Sequence, residues 1–537
     1  MNEKFARWDL LLGQYFKRDW KKIIFWVLGI GLFSGGFVPA FEEIAKGQGL
    51  VGMFETLKNP AMISMVGPTP IQSAFDYTLG AMYAHEMLLF CGLFSMIVSG
   101  LHVISHTRKE EELGLTELVR SFQVGRQANS LAVIKETITI NLLLVAVIAG
   151  LMLFFSGESM DTESIFLFAL SIGSAGMIGA VIALLFAQIL PTSSGATSGT
   201  LSLIGLLYIL RAGTDVSHPD FSLFNPMGWT YLTYPFTENR WEILLLVGGF
   251  LVGIFCLAIV LENYRDMGAG YLPEWAGRAE AKKSMLSVPG LLLRINRGTI
   301  ISWLIGYLIL GAAYGSIYGD IGTFLSSNEL MEQMFTQAGV SMEESFTTTI
   351  MAIMMLLALI LPIVLINRLF SEETRLHFSQ LYATKMTRAQ LYWSTIFLAL
   401  LFGSVSILFS AGGLGSAASL SINGDSDIAV SDFLVAGFNY FPGMLFFVGL
   451  AALFLGWLPK MNKLVYGYLG YTFVLSYFGG ILDLPDGFSK TAIFNWIPAM
   501  PTDDFSVSIF LILSLIGLGM ILVGYLGYKK RDFIEGI

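Results

Sequence analysis

The segment TRKEEELGLTELVRSFQVGR, Thr107–Arg126, is a polar island in an apolar chain. Three glutamates open it. Leu115, Leu118, Val119 and Phe122 follow at the i, i+3, i+4, i+7 spacing of one helical face, and Arg120 and Arg126 trail. Anionic residues first and cationic residues last complement the helix dipole. The spacing predicts an amphipathic helix within 108–126, about 25 Å long at 1.5 Å per residue. It is too polar to cross a bilayer, so it belongs at a membrane face.

The rest of the chain sets that face. Of 537 residues, 55% are hydrophobic and 13% charged, about half the charge of a soluble domain. A mean hydropathy of +0.68 agrees. The fold class expected is an all-α integral membrane protein. At about 20 apolar residues per span, twelve transmembrane helices are expected, at 22–42, 81–105, 130–155, 163–189, 194–212, 241–262, 299–318, 347–369, 389–412, 434–457, 462–482 and 505–527. Lys and Arg concentrate in the termini and the even-numbered connections, where Arg108, Lys109, Arg265, Lys282, Arg375, Lys385, Lys460 and Lys463 lie. The other face has only Lys46, Lys58, Arg211, Arg240 and Lys490. By the positive-inside rule both termini and the opening segment are cytoplasmic, as expected of a multi-pass protein of the cell membrane, bacterial by its character. The first apolar run has no small-residue cleavage site of the signal-peptide kind. Cys91 and Cys256 sit inside apolar runs as small core residues.

The chain is written twice. GQYFKRDWKKIIFWVLG (13–29) matches GLLLRINRGTIISWLIG (290–306) at Gly13/Gly290, Trp26/Trp303 and Gly29/Gly306. EEELGLTELVRSFQVGR (110–126) matches EETRLHFSQLYATKMTR (372–388) at Glu110/Glu372, Glu111/Glu373 and Arg126/Arg388. YRD ending at Asp266 matches KRD ending at Asp532. These pairs recur in the same order, so two pseudo-symmetric six-helix halves are expected, 1–270 and 289–537, with a cytoplasmic linker at 271–288. An even number of spans gives both halves the same orientation. Each half opens on a basic amphipathic helix suited to the lipid headgroups, with Trp8, Leu11, Leu12, Tyr15 and Phe16 among Arg7, Lys17 and Arg18 in the first.

No P-loop is present, and the dipeptide Gly-Lys occurs nowhere. If ATP drives this protein, the ATPase is a separate chain. With six spans per half, the N-terminal amphipathic helix, and the Glu-rich helix with a trailing Arg, the chain resembles the type-2 ABC exporter permeases. Glu111, Glu112, Gly114, Glu117, Leu118, Val124 and Arg126 carry the likeness. RDMGAGYLPEWAGRAEA (265–281) is similar to the segment between halves in the fused twelve-span permeases known as exporters of polyketide antibiotics. The resemblance implies an ABC transporter permease subunit that is not itself an enzyme. Two copies of a P-loop ABC ATPase would carry ATP and Mg, with no cofactor on this chain. The docking sites it implies are coupling helices at 108–126 and 371–388, with Glu110, Glu111, Glu112, Glu117 and Arg126 in the first and Glu372, Glu373, Arg375 and Arg388 in the second. Arg375 and Gln380 replace the usual glycine and glutamate, so the first copy is expected to matter more.

Ionisable residues inside spans mark function or reach an interface. Glu86 lies deepest and is a candidate for the substrate path, with Trp26 and Trp303 on the matched first spans. Glu136 and Arg211 lie near span ends, where long side chains reach an interface. Scarce intramembrane charge points to a small hydrophobic or amphipathic substrate, whether drug, antibiotic, lipid-like or peptide-like, exported from the cell. Membrane lipids are partners and nucleic acid is not. An ion-coupled twelve-span secondary transporter is the alternative, although its loop between the second and third spans is basic and short. No metal cluster, Ser–His–Asp set or HExxH is read from the sequence.

Overall fold

The computed structural model describes residues 3–46, 49–58, 60–156, 160–273, 280–320, 342–375, 377, 378, 382, 385–421, 429–478 and 486–532. Among the described residues all regular structure is helical, and eleven helices are long and apolar enough to cross a membrane. The chain divides into two units, Met1–Ala276 and the described residues from Gly277 onward.

The first unit holds α1 (Trp8–Gly35), α2 (Leu79–His106), α3 (Arg108–Glu112), α4 (Leu115–Arg120), α5 (Ala128–Ser156), α6 (Thr162–Ile189), α7 (Ser193–Ser217) and α8 (Glu242–Tyr264). The basic amphipathic segment expected before the first span is not a separate helix. It runs without a break into α1, because nothing between Trp8 and Gly35 removes a backbone donor. In this unit α1 packs on α5, and α6 packs on α2 and α8. Tyr83, Leu88, Leu89, Met96, Phe168 and Ile172 are buried in its core.

The second unit holds α9 (Val288–Gly315), α10 (Met342–Ala358), α11 (Ile360–Thr374), α12 (Arg388–Ser421), α13 (Val430–Phe438), α14 (Phe441–Trp457), α15 (Leu464–Phe478) and α16 (Val507–Lys530). Two expected spans contain a proline that interrupts their hydrogen bonding, and each still counts as one helix of crossing length, Glu344–Thr374 and Val430–Trp457. Pro362 cannot donate to the Ala358 carbonyl, and the chain turns at Leu359 between α10 and α11. Pro442 does the same to Phe438 between α13 and α14. At the span expected at 462–482 the described residues form α15, an apolar helix shorter than a crossing length; residues 479–482 lie outside the described ones. α9 and α12 approach so closely that a Cβ on Gly311 would come within 2.6 Å of the Ser410 carbonyl oxygen, and one on Gly413 within 2.8 Å of that of Leu308. Small residues let backbones touch where lipid supplies no hydrophobic drive. This seam carries α12 past its expected end at 412 to Ser421.

Candidate functional site

The 108–126 segment is not one rod. α2 ends at Thr107 (φ −113°, ψ −89°), α3 follows, and Gly114 in the left-handed region (φ 73°) separates it from α4. Each of the three glutamates is held by a different part of the first unit. Glu110 lies 2.7 Å from the Arg18 guanidinium of α1. Glu112 accepts from the backbone N–H of Ser193 at 3.1 Å and from its hydroxyl, at the start of α7.

Glu111 is the hub. Arg265, just past α8, donates to both its oxygens at 2.9 and 2.8 Å. Arg108 donates at 2.8 Å, and the amide of Gly268 at 2.7 Å. Gly268 has φ +79°, which only glycine adopts without strain and which turns that amide toward the carboxylate. Bidentate Arg–carboxylate pairing is strong and fixes geometry. Arg126, at the approach to α5, donates to the carbonyl of Arg265, and Arg120 donates to that of Arg126 at 2.7 Å.

The second unit contains the same three-part clasp. Glu373 accepts from Arg531, just past α16, and from the Tyr528 hydroxyl. Arg388, which opens α12, donates to the carbonyl of Arg531. Thus Glu111, Arg265 and Arg126 correspond to Glu373, Arg531 and Arg388. Glu372 lies 3.6 Å from Arg368 and 2.6 Å from His377. Glu372 and Glu373 belong to the last turn of α11, and Arg375 is its exposed cap. Residues 376, 379–381, 383 and 384 of the expected coupling helix 371–388, Gln380 included, lie outside the described ones.

The outward surface of the first segment carries an apolar cluster among exposed Lys109, Glu112, Glu117 and Arg126. Leu118 is 63% exposed and Phe122 69%, with Leu113 and Leu115 also exposed. Glu117 is exposed beside them, while Val119 is half-buried.

Elsewhere, Glu86 is half-buried and its Oε1 has no hydrogen-bond partner. Trp26 packs edge-on against His102, ring centroids 5.6 Å apart. Trp303 packs against Tyr307 at 5.5 Å. Two residues expected to reach an interface do not. Arg211 is fully buried; it pairs with Asp215 at 2.8 Å and donates to the carbonyls of Ser64 and Met65 at 2.5 and 3.0 Å. Burial and the Asp215 charge push the Tyr231 phenol well above its ordinary range, so it stays protonated and donates to Asp215 at 2.6 Å. Glu136 is also fully buried, 3.1 Å from His102.

His102, His106 and Glu136 lie together, all buried, with potential ligand atoms within 4.8 Å of one another. The i, i+4 pair HVISH is visible in the sequence. Glu136 enters from another helix, and no spacing announces it.

Residues 286–529 match the family described as the C-terminal domain of the multidrug efflux system permease Rv1217c. Over 528 residues the chain is 26% identical to the multidrug efflux system permease protein Rv1217c of Mycobacterium tuberculosis (strain ATCC 25618 / H37Rv), covering 97% of this chain and 94% of that protein.

Proposed function

We propose that this chain is the membrane-spanning permease subunit of an ATP-driven exporter of the type-2 ABC kind. It moves apolar or amphipathic compounds out of the cell by alternating access. Two copies of a separate ATPase, which carry the ATP and Mg, dock on the segments 108–126 and 371–388. The likeness to a multidrug efflux permease supports efflux as the activity, and a drug-like or antibiotic cargo follows from it. Both termini are read as cytoplasmic from the Lys/Arg distribution.

The observation that carries the reading is the clasp made in both units, Glu111 on Arg265 and Glu373 on Arg531. A motor that pushes on a loop must have that loop tied to the helices it is to move. The clasp ties the segment after the second span to the ends of the third and sixth spans. Exported compounds then see two arrangements of rigid bundles, biased by ATPase closure.

The reading changes the roles of the glutamates. Glu110, Glu111 and Glu112 brace the segment, and Leu113, Leu115, Leu118 and Phe122 are the contact surface, with Glu117 at its rim. Buried apolar anchors ringed by charge are the usual energetic centre of an interface.

The test is co-purification with a P-loop ABC ATPase co-expressed from the same organism. Leu118→Glu/Phe122→Glu is expected to abolish assembly and substrate-stimulated ATP hydrolysis. Glu111→Ala/Glu112→Ala is expected to weaken both together with thermal stability. Full assembly and full stimulated hydrolysis in both double variants would sink the docking reading.

A further inference from the structure

We propose that the buried His102–His106–Glu136 cluster of the first unit binds one divalent first-row transition-metal ion of the Zn2+ class. Three helices converge there. α2 brings His102 and His106 one turn apart on one face, with ring centroids 4.3 Å apart, the i, i+4 pairing by which a helix presents two imidazoles to zinc. α5 brings Glu136, whose Oε2 lies 3.1 Å from His102 Nε2. α1 brings Asp19, whose Oδ2 lies 2.8 Å from His106 Nε2. Each of the first three offers one ligand atom, all within 4.8 Å of one another. A tetrahedral zinc site needs separations of about 3.3 Å, given zinc–nitrogen bonds of about 2.0 Å, so sub-ångström to ångström side-chain adjustments close it.

Two further observations point to a ligand. His102 Nδ1 and Glu136 Oε1 are buried and have no hydrogen-bond partner, although His102 is 2% exposed and Glu136 0%. An unmet carboxylate oxygen in an apolar interior is costly, and a bound cation removes that cost. The surroundings also resemble an outer shell. Asp19 accepts from Lys22 on Oδ1 at 2.6 Å and from Arg18 on Oδ2 at 3.0 Å, and that same Oδ2 also faces His106 Nε2. An outer carboxylate on Nε2 would fix the ring of a metal-binding histidine; the nitrogen His106 then offers is Nδ1, which lies 2.7 Å from Ser105 Oγ and 2.9 Å from the His102 carbonyl and exchanges those contacts for the ion. Two imidazoles and a carboxylate select zinc, cobalt, nickel or copper over magnesium or calcium.

The cluster has no counterpart in the second unit. The offset of 262 that aligns Glu111 with Glu373 places Val364, Arg368 and Leu398 at the positions of His102, His106 and Glu136. The site is therefore separate from the repeated clasp. It pins the first three spans of one unit only.

The test uses the full chain, purified without a histidine tag, stripped with chelator and dialysed against Zn2+ or Co2+. Elemental analysis is expected to find one ion per chain, and the Co2+ form is expected to show the intense visible absorption of a tetrahedral site. Glu136→Gln and His102→Gln should each weaken binding at least about tenfold. The chain has five histidines, and the exposed His377–Glu372 pair is the rival site, so His377→Ala should leave uptake unchanged. Uptake well below one ion per chain, or uptake lost in His377→Ala and kept in Glu136→Gln, would overturn the proposal. The wild-type stoichiometry and Co2+ spectrum decide on their own if a variant fails to fold.

Discussion

At the scale of single residues, the first unit holds Arg211–Asp215, Arg108–Glu111 and Arg265–Glu111 as pairs that solvent barely reaches. Breaking a buried pair by removing one partner costs more than the pair itself contributes, because the other charge is stranded. Arg211→Met should therefore lower stability by about 3–5 kcal/mol, since Asp215 beneath it is buried. Arg211→Met/Asp215→Leu should recover part of that loss in detergent thermal unfolding. Glu111→Ala, which strands Arg265 and the buried Arg108, should cost about 3 kcal/mol. Glu117→Ala, at an exposed position, should stay within about 0.5 kcal/mol. Equal melting temperatures for the Glu111 and Glu117 variants would remove the bracing role. At this scale the sequence was legible as composition but not as partnership. Glu111, Arg126 and Arg265 each stood in a matched pair across the repeat, yet nothing in their spacing said that they meet. Arg211 and Glu136 looked like residues bound for an interface because sequence shows depth along a helix, not what packs around it.

At the scale of elements, hydrophobic run length found helices long and apolar enough to cross a membrane, eleven of them among the described residues, and backbone chemistry set their details. α1 absorbed its amphipathic leader, while Pro362 and Pro442 each remove one backbone donor within a span that stays continuous. The periodicity of 108–126 was correctly apolar at one face, but it could not show that Gly114 would divide the helix. Gly114→Ala forces a side chain into the left-handed region, at about 1 kcal/mol, and favours a continuous helix. Spin labels at positions 109 and 118 would then lie about 13.5 Å apart along one axis, a defined separation that the broken wild-type segment should not give. Unchanged distances would show that the break has another cause. In the second unit, Gly413→Val puts a branched side chain against the Leu308 carbonyl oxygen. It should cost about 1–3 kcal/mol by overpacking, whereas Gly298→Ala, with open space around it, should not destabilise. Thermal unfolding compares the two.

At the scale of the whole molecule, the repeat in the sequence and the clasp in the structure lead to a stoichiometric expectation. Two docking segments should hold two ATPases per chain, and native mass spectrometry of the purified complex should find that ratio. A single ATPase per chain would confine docking to one segment. The clasp also has a consequence for how the protein is made. Glu111 and Arg265 are 154 residues apart, and Glu373 and Arg531 are 158 apart. At about 5–20 residues per second of synthesis, each glutamate leaves the ribosome roughly ten to thirty seconds before its arginine. Through that interval the glutamate segment has no tether to α8 in the first unit or to α16 in the second. Each clasp is thus a late-closing latch that sets only once α8 or α16 has been made and has returned to the face that carries its glutamate, and a chain inserted out of register would leave it open for quality control to find.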